Sequence, residues 1–113
     1  MNSNRPDISD EDIGMRAFQL RKEKAVERAV ERLRAGIKDS WAMFSQRDLA
    51  DLNWIFGEVW AYLSRAEWDD LHFSKLSEDD VVAVLELTRE LRKEQINTVD
   101  TFEKVAAIVR KKS

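Results

Sequence analysis

Apolar residues recur along this chain at helical spacing. Val26, Val30, Leu33 and Ile37 follow one another at intervals of four, three and four, which at 100° per residue makes a narrow stripe. Going back toward the N-terminus, the same face meets Gln19, Lys22 and Glu23 before Met15, so only the second half of this helix has a dry seam. Leu49, Leu52, Phe56, Val59, Trp60 and Leu63 share one wide face, with Ile55 and Tyr62 on its shoulder. Val81, Val84, Leu87 and Leu91 repeat the pattern with Leu85 at the edge and Val82 pointing away. Phe102, Val105, Ala106 and Val109 stand at i, i+3, i+4 and i+7. No convincing strand appears.

A start signal precedes most of these stretches. It consists of an apolar residue, a Ser cap, an acidic residue three positions on, and a second apolar residue. The cap oxygen takes a free backbone N–H, the acid suits the positive end of the helix, and the apolar pair clamps across the turn. The pattern occurs at Ile8-Ser9 to Ile13, Phe44-Ser45 to Leu49, Leu63-Ser64 to Trp68 and Leu76-Ser77 to Val81. A weaker version spans Asn97 to Phe102, with Thr98 or Asp100 as cap. Only the Ser64 copy has Glu at the fourth position. Asp is expected to serve the dipole but to reach back less well.

These signals predict an all-α fold, a compact bundle of about five helices near 10–37, 46–63, 65–73, 78–95 and 99–111. The connections are short, so successive helices must turn back on one another. The longer join, Lys38 to Phe44, contains Trp41, Met43 and Phe44 and is expected to pack. The whole chain, 1–113, reads as a single helical domain, with 1–8 as a flexible tail.

Composition agrees. Three Gly and one Pro in 113 residues leave few positions for β turns, and 36% charged residues exclude a membrane protein. No apolar run is long enough to span a bilayer and the start is no signal peptide, so a cytoplasmic location and no membrane contact are expected. With no Cys there is neither a disulfide framework nor a thiolate site.

The net charge of −3 hides a segregation. Residues 15–38 carry +5, from eight basic and three acidic residues, whereas 39–80 carry −7, from three basic and ten acidic. On the first helix Arg21, Lys24, Arg28 and Arg32 form a basic stripe. It reads either as a solvated face, with Glu27 and Glu31 paired to Arg neighbours, or as a contact line for nucleic acid or an acidic protein. No aromatic residue is interleaved for base stacking. The Arg110-Lys111-Lys112 end suits the negative end of the last helix.

Catalytic chemistry is scarce. His72 is the one histidine. With Asp69 it has i,i+3 spacing, but a zinc site needs further ligands, and those available are scattered. Gly14, Gly36 and Gly57 stand alone, so no phosphate loop exists. Ser45 to Leu52 begins like a helix-turn-helix, but Trp54, Ile55, Phe56, Val59 and Trp60 follow, too apolar to read bases, and the next helix is acidic. No enzyme, metal or cofactor is expected.

The expected function is therefore a non-enzymatic protein-binding module: a small regulator, inhibitor, adaptor or subunit. Two candidate surfaces present themselves. One is the back of the second helix, where Trp54 stands among Ala50, Gly57 and Ala61; either the first or fifth helix covers it, or it is an interface. The other is the acidic segment from Glu67 through Asp69 and Asp70 to Asp80. The alternative is a nucleic-acid-binding accessory protein using Arg21, Lys24, Arg28 and Arg32. Self-association through the Val26–Ile37 seam is a third possibility.

Overall fold

The computed structural model describes residues 10–94 and 98–110. The N-terminal tail, the Ser9 cap, Asn97 and the Lys111-Lys112 end lie outside the described residues. Five α-helices follow in order: α1 (Asp10–Ile37), α2 (Gln46–Tyr62), α3 (Arg65–Asp69), α4 (Glu78–Glu94) and α5 (Thr98–Arg110). Two short 3₁₀ segments, Lys38–Met43 and Phe73–Lys75, lie between them. No strand occurs among the described residues.

Three of the Ser signals are reciprocal capping boxes. Asp48 N–H donates to Ser45 Oγ at 3.1 Å while Ser45 N–H donates to Asp48 Oδ2 at 2.9 Å. Ser64 and Glu67 exchange the same two bonds at 3.0 and 3.2 Å, and Ser77 and Asp80 at 2.8 and 3.2 Å. The expectation for Asp was therefore too pessimistic. The shorter side chain closes the box as well as Glu does. Each box satisfies two otherwise orphan donors, worth about 1 kcal/mol per cap.

α2 is the central helix. Leu52, Ile55, Phe56 and Val59 are almost wholly buried, against α1 on one side and α4 and α5 on others. Ile55, placed on the shoulder from sequence, is in the core, and Tyr62 is the residue left at the rim. α4 is rotated slightly from its expected register: Leu85 and Thr88 point inward and Leu87 lies on the flank. The Thr88 hydroxyl donates to Val84 O at 2.8 Å, which satisfies its polar group without an outside partner. α5 buries Phe102, Val105, Ala106 and Val109, as its spacing required.

The third helix is shorter than expected. α3 ends at Asp69, and the chain breaks at His72 (φ −114°, ψ 68°) before the 3₁₀ turn. A helix continuing to residue 73 would put Leu71 and Phe73 on nearly opposite faces. The break turns both, and Leu76, into the core. Phe73 meets Phe56 edge-on at 5.0 Å and Trp68 at 5.1 Å.

This returning segment lies directly on α1, and Gly36 permits the approach. A Cβ at Gly36 would fall on the Ser74 carbonyl, 2.9 Å from its carbon. Gly14, on the same helix, has nothing within 4 Å of that position. The two glycines should therefore respond oppositely to alanine. Gly36→Ala is expected to lose about 1–2 kcal/mol, the backbone clash outweighing the helix propensity gained. Gly14→Ala should gain about 0.5–1 kcal/mol. Urea unfolding measures both, and equal shifts would refute the close-approach argument.

Tyr62 ties α5 to α2: its hydroxyl donates to Glu103 Oε1 at 2.7 Å, and its ring lies 5.8 Å from that of Phe102. The hydrogen bond to Glu103 pushes the phenol above its usual 10.0. A raised folded pKa means this contribution is complete below the unfolded pKa and is lost as pH rises through the folded one. Tyr62 is the single tyrosine, so its ultraviolet titration is unambiguous. It should ionise later in the folded chain than in urea, and Tyr62→Phe should lessen the alkaline loss of stability.

Candidate functional site

The four residues of the Trp54 strip do not form one groove. Gly57 is buried under α1, where an added Cβ would lie 2.8 Å from Lys22 Cε and 3.7 Å from Val26 Cγ2. Trp54 is half-buried and faces α4: the Arg92 guanidinium sits 4.4 Å from its ring centroid. Ala50 and Ala61 are exposed. The strip is thus divided between neighbours, with α4 beside the tryptophan and Thr98, at the start of α5, lining the same hollow.

Beside Trp54 lies an ion-pair clasp that sequence reasoning missed. Arg92 Nη1 is 2.9 Å from Oδ1 of the buried Asp51, Arg89 Nε is 3.8 Å from its Oδ2, and Arg89 also pairs with Asp48. A buried carboxylate is tolerated only when paired. The Ser45 backbone N–H, the Ser45 hydroxyl and Arg89 together hold the Asp48 carboxyl below the usual range, against a smaller opposing desolvation. The available signal was the matched i,i+3 spacing of Asp48/Asp51 and Arg89/Arg92.

The acidic segment is also divided. The Glu67 carboxylate accepts the Ser64 N–H, which lowers its pKa first, with help from the Ser64 hydroxyl. Asp70 is exposed at the end of α3. Asp69 alone faces a cleft, and opposite it stand Arg28 and Arg32 of the basic stripe. The proposed acidic and basic surfaces thus meet at one place.

That cleft, of about 420 Å³, lies between α1, the end of α2 and α3. Ala25, Ala29, Trp60, Trp68 and Phe73 give it apolar walls, and Arg28, Arg32, Arg65 and Asp69 its charge. Arg65 is held firmly. It lies 3.8 Å from the centroid of Trp60 and donates to Trp60 O at 2.8 Å and Leu63 O at 3.2 Å. It therefore caps the C-terminal carbonyls of α2, which would otherwise lack partners. Phe18 packs on the same indole at 5.0 Å. Linear spacing had shown no aromatic residue beside the basic stripe. The return of α3 to α1 supplies two.

Arg28 and Arg32 have no hydrogen-bond or ion-pair partner among the described residues. The expected pairs with Glu27 and Glu31 do not form, and the spacing explains why. Glu23, Glu27 and Glu31 make one i,i+4 row, and Lys24, Arg28 and Arg32 make the next. Like charges at i,i+4 cost about 0.2–0.5 kcal/mol per pair. The two exposed flanks of α1 are therefore of opposite sign.

The exposed stripe continues through Arg21 and Lys24 toward the N-terminus of α1. There Ile13, Met15 and Leu20 are 55%, 58% and 58% exposed. His72 is half-buried, and no group of three His, Cys, Asp or Glu side chains converges as a metal site would among the described residues. No described helix is long and apolar enough to cross a membrane. Compared with protein-family models, curated proteins and solved structures, the chain has no match.

Proposed function

We propose that this chain is a non-enzymatic protein-binding module, a small regulator, inhibitor, adaptor or subunit, whose partner clasps the first half of α1. The carrying observation is the exposure of Ile13, Met15 and Leu20 within eight residues of one helix. Single exposed apolar residues are ordinary. Three within eight residues, on a helix whose other half holds the core, mark a candidate interaction site. Ile13 and Leu20, at i,i+7, share one side, and Met15 lies on another. A partner that grips the helix from two sides fits this arrangement.

Met15→Asp and Leu20→Asp test the reading, because neither side chain supports the core. The double variant should keep its Tm within a few degrees and lose capture of the cellular partner by at least tenfold. Unchanged capture would remove α1 as the docking element. Light scattering of the same proteins identifies the case in which the partner is a second copy.

A second reading, a nucleic-acid accessory protein, is favoured by one observation: the unpaired Arg28 and Arg32 on an exposed basic row. It predicts retention on heparin or duplex DNA that falls steeply with salt and disappears in Arg21/Arg28/Arg32→Glu. Elution at low salt would exclude it.

A further inference from the structure

We infer that the cleft between α1 and α3 docks a short acidic segment of a partner protein, laying an apolar side chain against the half-buried Trp68 and its carboxylates on Arg28 and Arg32. This site is separate from the exposed first half of α1, and neither proposal depends on the other. Three features on the molecule select this ligand.

The first is size and lining. A cleft of about 420 Å³ is in the range that takes a small ligand or an anchoring side chain, and its lining is mixed, with Ala25 and the half-buried Trp68 as apolar contacts among the charged groups. The second is charge. Three guanidiniums face one carboxylate. Arg65 is already committed to Trp60 and to the end of α2. Arg28 and Arg32, one turn apart, have no partner among the described residues, so two planar donor forks remain for bidentate carboxylates.

The third feature separates a peptide from a nucleic acid. Base stacking needs an open aromatic face. Trp60 is 4% exposed, with Arg65 on its ring and Phe18 packed against it. Trp68 is half-buried against Phe73. Asp69, in the same cleft, can accept a peptide N–H, a donor that a phosphate backbone lacks. Sterics and this acceptor therefore favour a peptide, and Arg28 and Arg32 favour an acidic one.

The four tryptophans give the assay its own reporters. In a nitrogen–proton correlation spectrum of the full-length chain, each indole N–H contributes one resonance. The probe is the peptide Asp-Glu-Asp-Leu-Phe-Asp-Glu, compared with its Lys-substituted counterpart, oligothymidylate and inorganic phosphate. The acidic peptide should move the Trp60 and Trp68 indole peaks saturably, leave Trp41 and Trp54 in place, and bind at least tenfold less well to Arg28→Glu/Arg32→Glu. Both arginines are exposed, so the unperturbed remainder of the variant's spectrum verifies its fold. Three outcomes overturn the inference: silence at both indoles with the acidic peptide, an undiminished shift in the charge-reversed variant, or tighter binding of oligothymidylate. Phosphate alone reproducing the full shift would also overturn it, because contact with Trp68 would then contribute nothing.

Discussion

The arrangement of this molecule depends on one close contact, the seating of the Phe73–Lys75 turn on α1 at Gly36. The chain leaves α2 through Leu63 and starts α3 at once from the Ser64 cap. Unless it comes back across α1, Leu71, Phe73 and Leu76 have nowhere to bury. All three are in the core. Their burial is worth about 1.5–3 kcal/mol each in area terms, far more than the geometry of a five-residue helix supplies. α3 is therefore short because the apolar residues after it have a stronger claim on the chain's direction. The same return places Arg65, Trp68 and Asp69 opposite Arg28 and Arg32, so the cleft is a by-product of completing the core.

Much of the fold was legible because helix starts are written locally. A Ser, an acid three residues later and flanking apolar residues interact within a single turn, and nothing distant alters that chemistry. Helix ends are set differently. α3 stops where tertiary burial of Leu71 and Phe73 overrides continuation, and no single residue marks the place. The rotation of α4 is similar: Leu85 and Leu87 are equally apolar, and only the neighbouring helices decide which faces inward. Thr88 takes a core position because its hydroxyl can bond within its own helix, an option that hydrophobic periodicity does not register.

The candidate surfaces were less legible, for a reason of the same kind. Each was read along one helix, whereas each observed constellation joins two or three. Trp54 meets Arg92 across 38 residues of chain, and Arg28 and Asp69 line one cleft. The stripe of Ala50, Trp54, Gly57 and Ala61 is real on a helical wheel, yet α1 crosses at Gly57 and α4 reaches Trp54, so it is never one surface. The paired spacing Asp48/Asp51 and Arg89/Arg92 was visible and went unused, because charges on separate helices do not announce their partners.

The charges of α1 show where structure ends and availability begins. Asp51, buried, is matched by two arginines, as desolvation demands. Arg28 and Arg32, in water, face no such demand, and the fold leaves them unmatched. Both exposed rows repeat one sign at i,i+4, a small cost that the opposite signs of Lys24/Glu27 and Arg28/Glu31 at i,i+3 offset. The rows therefore do little for the stability of the helix either way. A ligand of opposite charge would gain from them where Arg28 and Arg32 border the cleft, and there the arrangement has a physical use.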